Sequence, residues 1–196
     1  ASESRPESVR SASARRARRP VRLRLQAAVA VAVVAAVAVV LALTTGGSGT
    51  PTAAPTLLQA SSVALSPSTQ AAPAESSRNR HLLAASAAGI SYPYWGGELG
   101  WRAAGARTDT VGGRTVTTVL YTDRNARRIG YSIVSGGVLP VPAGSTAIER
   151  HGMRFHVVAA KGATVVTWRE AGHTCILTAR GVGARTLVHL ASWERS

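Results

Sequence analysis

The stretch at residues 164–180, TVVTWREAGHTCILTAR, decides how the C-terminal half of the chain folds. Val166 and Trp168 recur at every second position, Ala171-Gly172 interrupts, and residues 173–180 resume with Ile176 and Thr178 in alternation. A period of two with a small-residue break is the pattern of two antiparallel strands joined by a tight turn.

Working back from this hairpin, the same rhythm recurs. Residues 152–160 set Met153, Phe155 and Val157 against Arg154, His156 and Val158, and Lys161-Gly162 supplies the turn. Residues 136–146 are rich in Gly and Pro; Pro140 and Pro142 cannot donate to a ladder, so this segment reads as a loop. Before it, residues 128–135 alternate through Ile129, Tyr131 and Ile133. Residues 101–110 and 114–122 make a hairpin about Gly112-Gly113. The spacing predicts about six strands. Downstream, Leu187, Leu190 and Ala191 fall at i, i+3 and i+4, a helical stripe that can lie on the sheet.

Upstream the character changes. Residues 86–101, SAAGISYPYWGGELGW, gather Ile90, Tyr92, Tyr94, Trp95 and Trp101 beside Pro93 and paired glycines. This reads as irregular chain packed over a core edge, with a carbohydrate or ligand platform as the alternative. Residues 46–85 are dominated by Gly, Ser, Thr, Pro and Ala, interrupted at Leu57, Leu58, Val63 and Leu65, and read as a disordered linker open to proteases.

Residues 27–43, AAVAVAVVAAVAVVLAL, carry no charge, Gly or Pro. Extended to residues 25–45, a helix at ~1.5 Å per residue reaches ~31 Å, about the hydrocarbon thickness of a bilayer. Eight arginines against two acids precede the run, and the uncharged TTGGSGTPTAAPT follows it. That asymmetry predicts a single span with its N-terminal side in the cytoplasm and everything after about Thr45 exported. A removable signal would join the same parts, and Arg15-Arg16 and Arg18-Arg19 echo a twin-arginine pattern. A retained span is favoured by the length of the run and by the lack of a small-x-small site after Leu43.

The expected organisation is therefore α+β: a basic juxtamembrane segment (1–24), of which residues 1–20 read as disordered, a transmembrane helix (25–45), a linker (46–85), and an extracytoplasmic domain (86–196) of antiparallel sheet with a C-terminal helix. The net charge of +14 would suit nucleic acid. However, the clustered Arg lies beside the apolar run, where anionic headgroups explain it, and the remaining Arg is scattered. No nucleic-acid partner is expected.

Cys175 is alone, so it forms no internal disulfide and excludes a multi-cysteine zinc site in these residues. His173 and Cys175 lie two apart on one strand, the closest approach to an activated thiol, but no Asp or Asn completes the set. Glu98, Asp109, Asp123, Glu149, Glu170 and Glu194 are scattered, and no nucleophile-elbow, P-loop or dinucleotide motif occurs. No enzyme, metal or cofactor is expected.

The order of parts, with Tyr94-Trp95, Gly100-Trp101-Arg102, Val166-Thr167-Trp168-Arg169 and Gly172-His173-Thr174-Cys175, resembles the transmembrane and exported portion of bacterial membrane-bound anti-sigma factors over residues 15–196. The resemblance implies a transcriptional regulator in the cell membrane. Its partners would be a sigma factor, held through a cytoplasmic region missing here, the lipid bilayer, and the proteases that release it. In that family a cytoplasmic helical domain binds zinc through H-x-x-x-C-x-x-C. No His or Cys precedes His81, so no ligand can be carried over. Either the sequence starts after that domain, which the opening Ala favours, or the protein has lost it. A single-span exported binding or envelope-structural protein without a sigma partner is the alternative, and an exported hydrolase using His173 or Cys175 the third.

Overall fold

A computed structural model describes residues 55–193. In chain order the elements are α1 (Leu57–Ser62), β1 (Leu82–Ala87), β2 (Ile90–Pro93), β3 (Arg102–Val111), β4 (Arg114–Thr122), β5 (Arg128–Val134), β6 (Thr146–Arg150), β7 (Met153–Ala160), β8 (Ala163–Glu170), β9 (His173–Ala179) and α2 (Ala184–Ser192). Strands β1 and β2 form a small sheet, and the other seven make one antiparallel sheet in the order β3-β4-β5-β9-β8-β7-β6.

The α+β expectation is corrected to a mainly β structure. Among the described residues nine strands stand where six were expected, against two helices of six and nine residues. The additional strands are β1, β2 and β6. Among the described residues no helix is long and apolar enough to cross a membrane. The basic segment and the run expected to span the bilayer lie outside the described residues.

Tight turns build the sheet. Ala88-Gly89, Gly112-Gly113, His151-Gly152, Lys161-Gly162 and Ala171-Gly172 all have two successive positive φ angles. That is the type I′ geometry whose twist matches antiparallel strands. The exception to hairpin connection is β5 to β6. Because β9 pairs with β5, the chain must cross β9, β8 and β7 to reach β6, roughly 19 Å at ~4.8 Å per strand. The loop 135–145 makes that crossing, pinned where the Leu139 amide donates to Thr174 Oγ1 at 2.8 Å.

Each face of the large sheet is covered. On one, Tyr92, Trp95, Tyr121, Tyr131, Phe155 and Trp168 form a buried aromatic core, with Trp95 4.5 Å from Tyr121 and Tyr131 5.3 Å from Trp168 between ring centroids. Helix α2 closes it with Leu187, Val188, Leu190 and Ala191. The hydroxyls of Tyr121 and Tyr92 donate to the carbonyls of Pro93 and Thr117 at 2.8 and 2.7 Å, so these rings bury no unsatisfied phenol. On the other face, Leu57 and Ala60 of α1 pack with Val116, Val134, Leu139, Val165 and Ile176.

That second face corrects the disordered-linker expectation. Between residues 55 and 85 the chain lies on the domain as a strap. A capping box starts α1: Thr56 Oγ1 accepts from the Gln59 amide, and Gln59 Oε1 accepts from the Thr56 amide. Beyond α1, Gln70 bridges to Ala106 on the β3 edge with N–H donors in both directions, and Glu75 bridges to Leu83. The apolar interruption that looked incidental in the sequence is the strap's anchor.

Candidate functional site

Chemistry read from single residues does not converge. Cys175 is fully buried in the aromatic core, where its thiol neighbours Tyr131 and Tyr92. Burial pushes both phenols well above their ordinary value, and the nearby thiol adds to the rise. His173 is held elsewhere, its Nδ1 3.0 Å from the carbonyl of Gly136. A buried thiol under a phenol, with the imidazole engaged on a loop, is not an activated nucleophile.

The other candidates disperse as well. Asp109 pairs with Arg107, Asp123 with Arg127 and Glu149 with Arg154. Glu170 accepts from the Trp168 indole at 2.9 Å. Glu194 lies outside the described residues. The His81 ring lies tilted against Trp193 with centroids 5.4 Å apart, His156 approaches Ser145 Oγ at 3.4 Å, and His189 approaches Arg150 at 3.3 Å. Among the described residues no group of three His, Cys, Asp or Glu is placed to hold a metal. The aromatic cluster is core and not a platform, because Tyr92, Trp95 and Trp101 are all buried.

Two features remain that a functional domain can use. The first is the strap, whose fit is set by glycines. A Cβ on Gly130 would come within 2.1 Å of the Ala64 carbonyl oxygen, and one on Gly105 within 2.5 Å of Ser68 Cβ. Only glycine lets the strap backbone approach the sheet this closely. The Arg107 guanidinium reaches across to the Pro67 carbonyl at 2.7 Å, and Glu75 hydrogen-bonds the Tyr94 hydroxyl, raising that phenol.

The second is a cleft of about 590 Å³ under the crossover loop. Val138, Leu139, Pro140 and Val141 form its wall, and Arg154, His156, Thr167, Arg169 and Thr174 line it from β7, β8 and β9. The volume falls within the range of small-molecule sites. Sequence reading missed both features: the loop was legible, but what it passes over depends on β9 inserting beside β5. Compared with family models, curated proteins and solved structures, the chain matches none.

Proposed function

We infer that this chain is the membrane-tethered, envelope-facing part of a regulator of the anti-sigma class, with its exported domain controlling access to the segment that follows the anchor. The reading combines the sequence order of basic segment, apolar run and β-rich domain with one structural observation: residues 55–85 are strapped to the sheet. Proteases bind their substrates as extended accessible backbone, which a docked strap does not offer. While α1 stays in its pocket, cleavage between the anchor and the domain is suppressed; release of the strap exposes the site. Cleavage there then leads to loss of the anchor and freedom for the cytoplasmic partner, a sigma factor. The switch is a two-state equilibrium, so any signal must favour the undocked state by differential binding or by force.

The test uses the whole natural gene product in cells. G130V is built to lift the strap without touching the aromatic face. Constitutive cleavage and constitutive transcription from a sigma-dependent promoter are expected. Cleavage without any transcriptional change, together with no sigma factor co-purifying, would remove the regulatory reading.

The cleft favours a second reading, a single-span exported binding protein with no sigma partner. G130V would then alter ligand retention or turnover and leave transcription unchanged.

A further inference from the structure

The strands beneath the crossover loop carry an unbalanced row of charge. Glu149 on β6 stands opposite Arg154 on β7, and their side chains pair at 2.7 Å. His156 on β7 stands opposite Thr167 on β8, where the pairing of the two strands ends, and two residues further along each strand, on the same face, Arg154 and Arg169 both line the cleft. Arg169 in turn stands opposite Thr174 on β9. All project from the strap side of the sheet, because Thr174 continues through Val134 to Val116, which packs with α1. The row therefore holds two guanidiniums and one carboxylate, and Arg169 forms no ion pair among the described residues.

Two guanidiniums lining one cleft from adjacent strands repel each other. This pair also borders the cleft whose other side is Val138, Leu139, Pro140 and Val141. Val141 is exposed, at 42 %, in a loop otherwise pinned down by Leu139. A cationic floor against an apolar wall complements one kind of molecule, a small acid with an apolar tail. We propose that this cleft binds an amphipathic oxyacid, whose carboxylate or phosphate bridges Arg169 and Arg154 while its tail lies along Val138–Val141. Arginine's planar fork suits either head group. Thr174 Oγ1 already accepts from Leu139, and Thr167 Oγ1 donates to the Cys175 carbonyl, so the arginines carry the recognition. The inference rests on the cleft alone and holds whatever the chain regulates.

The test titrates the full chain in lipid nanodiscs with sodium hexanoate, using ligand-observed NMR and empty discs as the blank. Saturable binding is expected, with hexanol and acetate each about tenfold weaker or worse. Exposed Arg169 can be changed without disturbing the fold, and R169Q should weaken hexanoate about tenfold. E149Q should tighten it, because Arg154 loses its competing carboxylate. A parallel titration with hexyl phosphate shows which head group is preferred, and saturable binding by either supports the site. Failure of both to saturate, hexanol binding as tightly as hexanoate, or an unchanged affinity in R169Q with an unchanged melting temperature would overturn the proposal.

Discussion

The carbonyl oxygen of Ala64 lies so close above Gly130 that no side chain fits between them. Gly130 is at the middle of the sheet, paired to Leu120 on β4 and Thr178 on β9, so its backbone cannot retreat. The strap must yield instead. G130A is expected to cost about 1–3 kcal/mol by overpacking. Limited proteolysis should find new cuts between residues 55 and 85 while the sheet remains resistant. Uniform loss of resistance across the domain would show that strap and sheet unfold together.

Leu57 supplies the strap's main apolar contact, buried to 1 % among Val116, Val134, Leu139, Val165 and Ile176. L57A should destabilise by about 2–4 kcal/mol, the usual cost of deleting a buried leucine side chain. Leu58, at 38 % exposed, is the control on the same helix: L58A should change the denaturation midpoint little. Equal effects of the two would contradict the docked orientation.

Acid sensitivity is expected at the turn between β4 and β5. Burial alone would raise the Asp123 pKa, but the Arg127 side chain and the amides of Arg127 and Asn125 outweigh it and hold this carboxyl below its ordinary value. A depressed folded-state pKa contributes stability above the unfolded value, near 4, that is lost as pH falls through the folded value. D123N should therefore lower stability at pH 7 and leave it nearly unchanged at the acid end. The melting temperatures of the two proteins, followed from pH 7 to pH 2, should converge. A constant difference across that range would contradict the assignment.

The turn between β8 and β9 is suboptimal as built. Ala171 has a φ of 46° ahead of Gly172, a left-handed conformation that alanine resists and asparagine tolerates. A171N is expected to stabilise by about 0.5–1 kcal/mol, read from the urea midpoint at unchanged slope. A lower midpoint would show that the turn is held by contacts of the alanine methyl.

How far the sequence reveals this structure depends on where each signal is carried. Strands β3, β4, β5, β7, β8 and β9 alternate visibly because an apolar residue at every second position is what a covered face demands. Strand β6, TAIER, has only Ala147 and Ile148 as apolar residues and neither is fully buried, since an edge strand is covered less, so it shows no period between the loop at 136–146 and the strand that begins at 152. Strands β1 and β2 are short and carry Ser86, Ser91 and Pro93, which mask any period. Residues 57–65 give no helical signal because six helical residues of LLQASS are too few to show a stripe. Their stability comes from tertiary contact and not from propensity. The cleft was illegible for a topological reason: Arg154, Arg169 and Val141 meet only because the chain crosses the sheet after β5.

The central claim is that residues 55–85 are part of the folded domain. Hydrogen exchange on the full chain tests it directly, at the amides of Ala60, Ala64, Thr69, Gln70 and Ala84, each of which donates to a backbone carbonyl within the strap or on the domain. Protection of these amides by factors well above those of an open chain, and loss of that protection at Ala60 and Ala64 in G130A, is the predicted result. Exchange across residues 55–85 at the rate of unstructured peptide, with β5 and β9 fully protected, would contradict it.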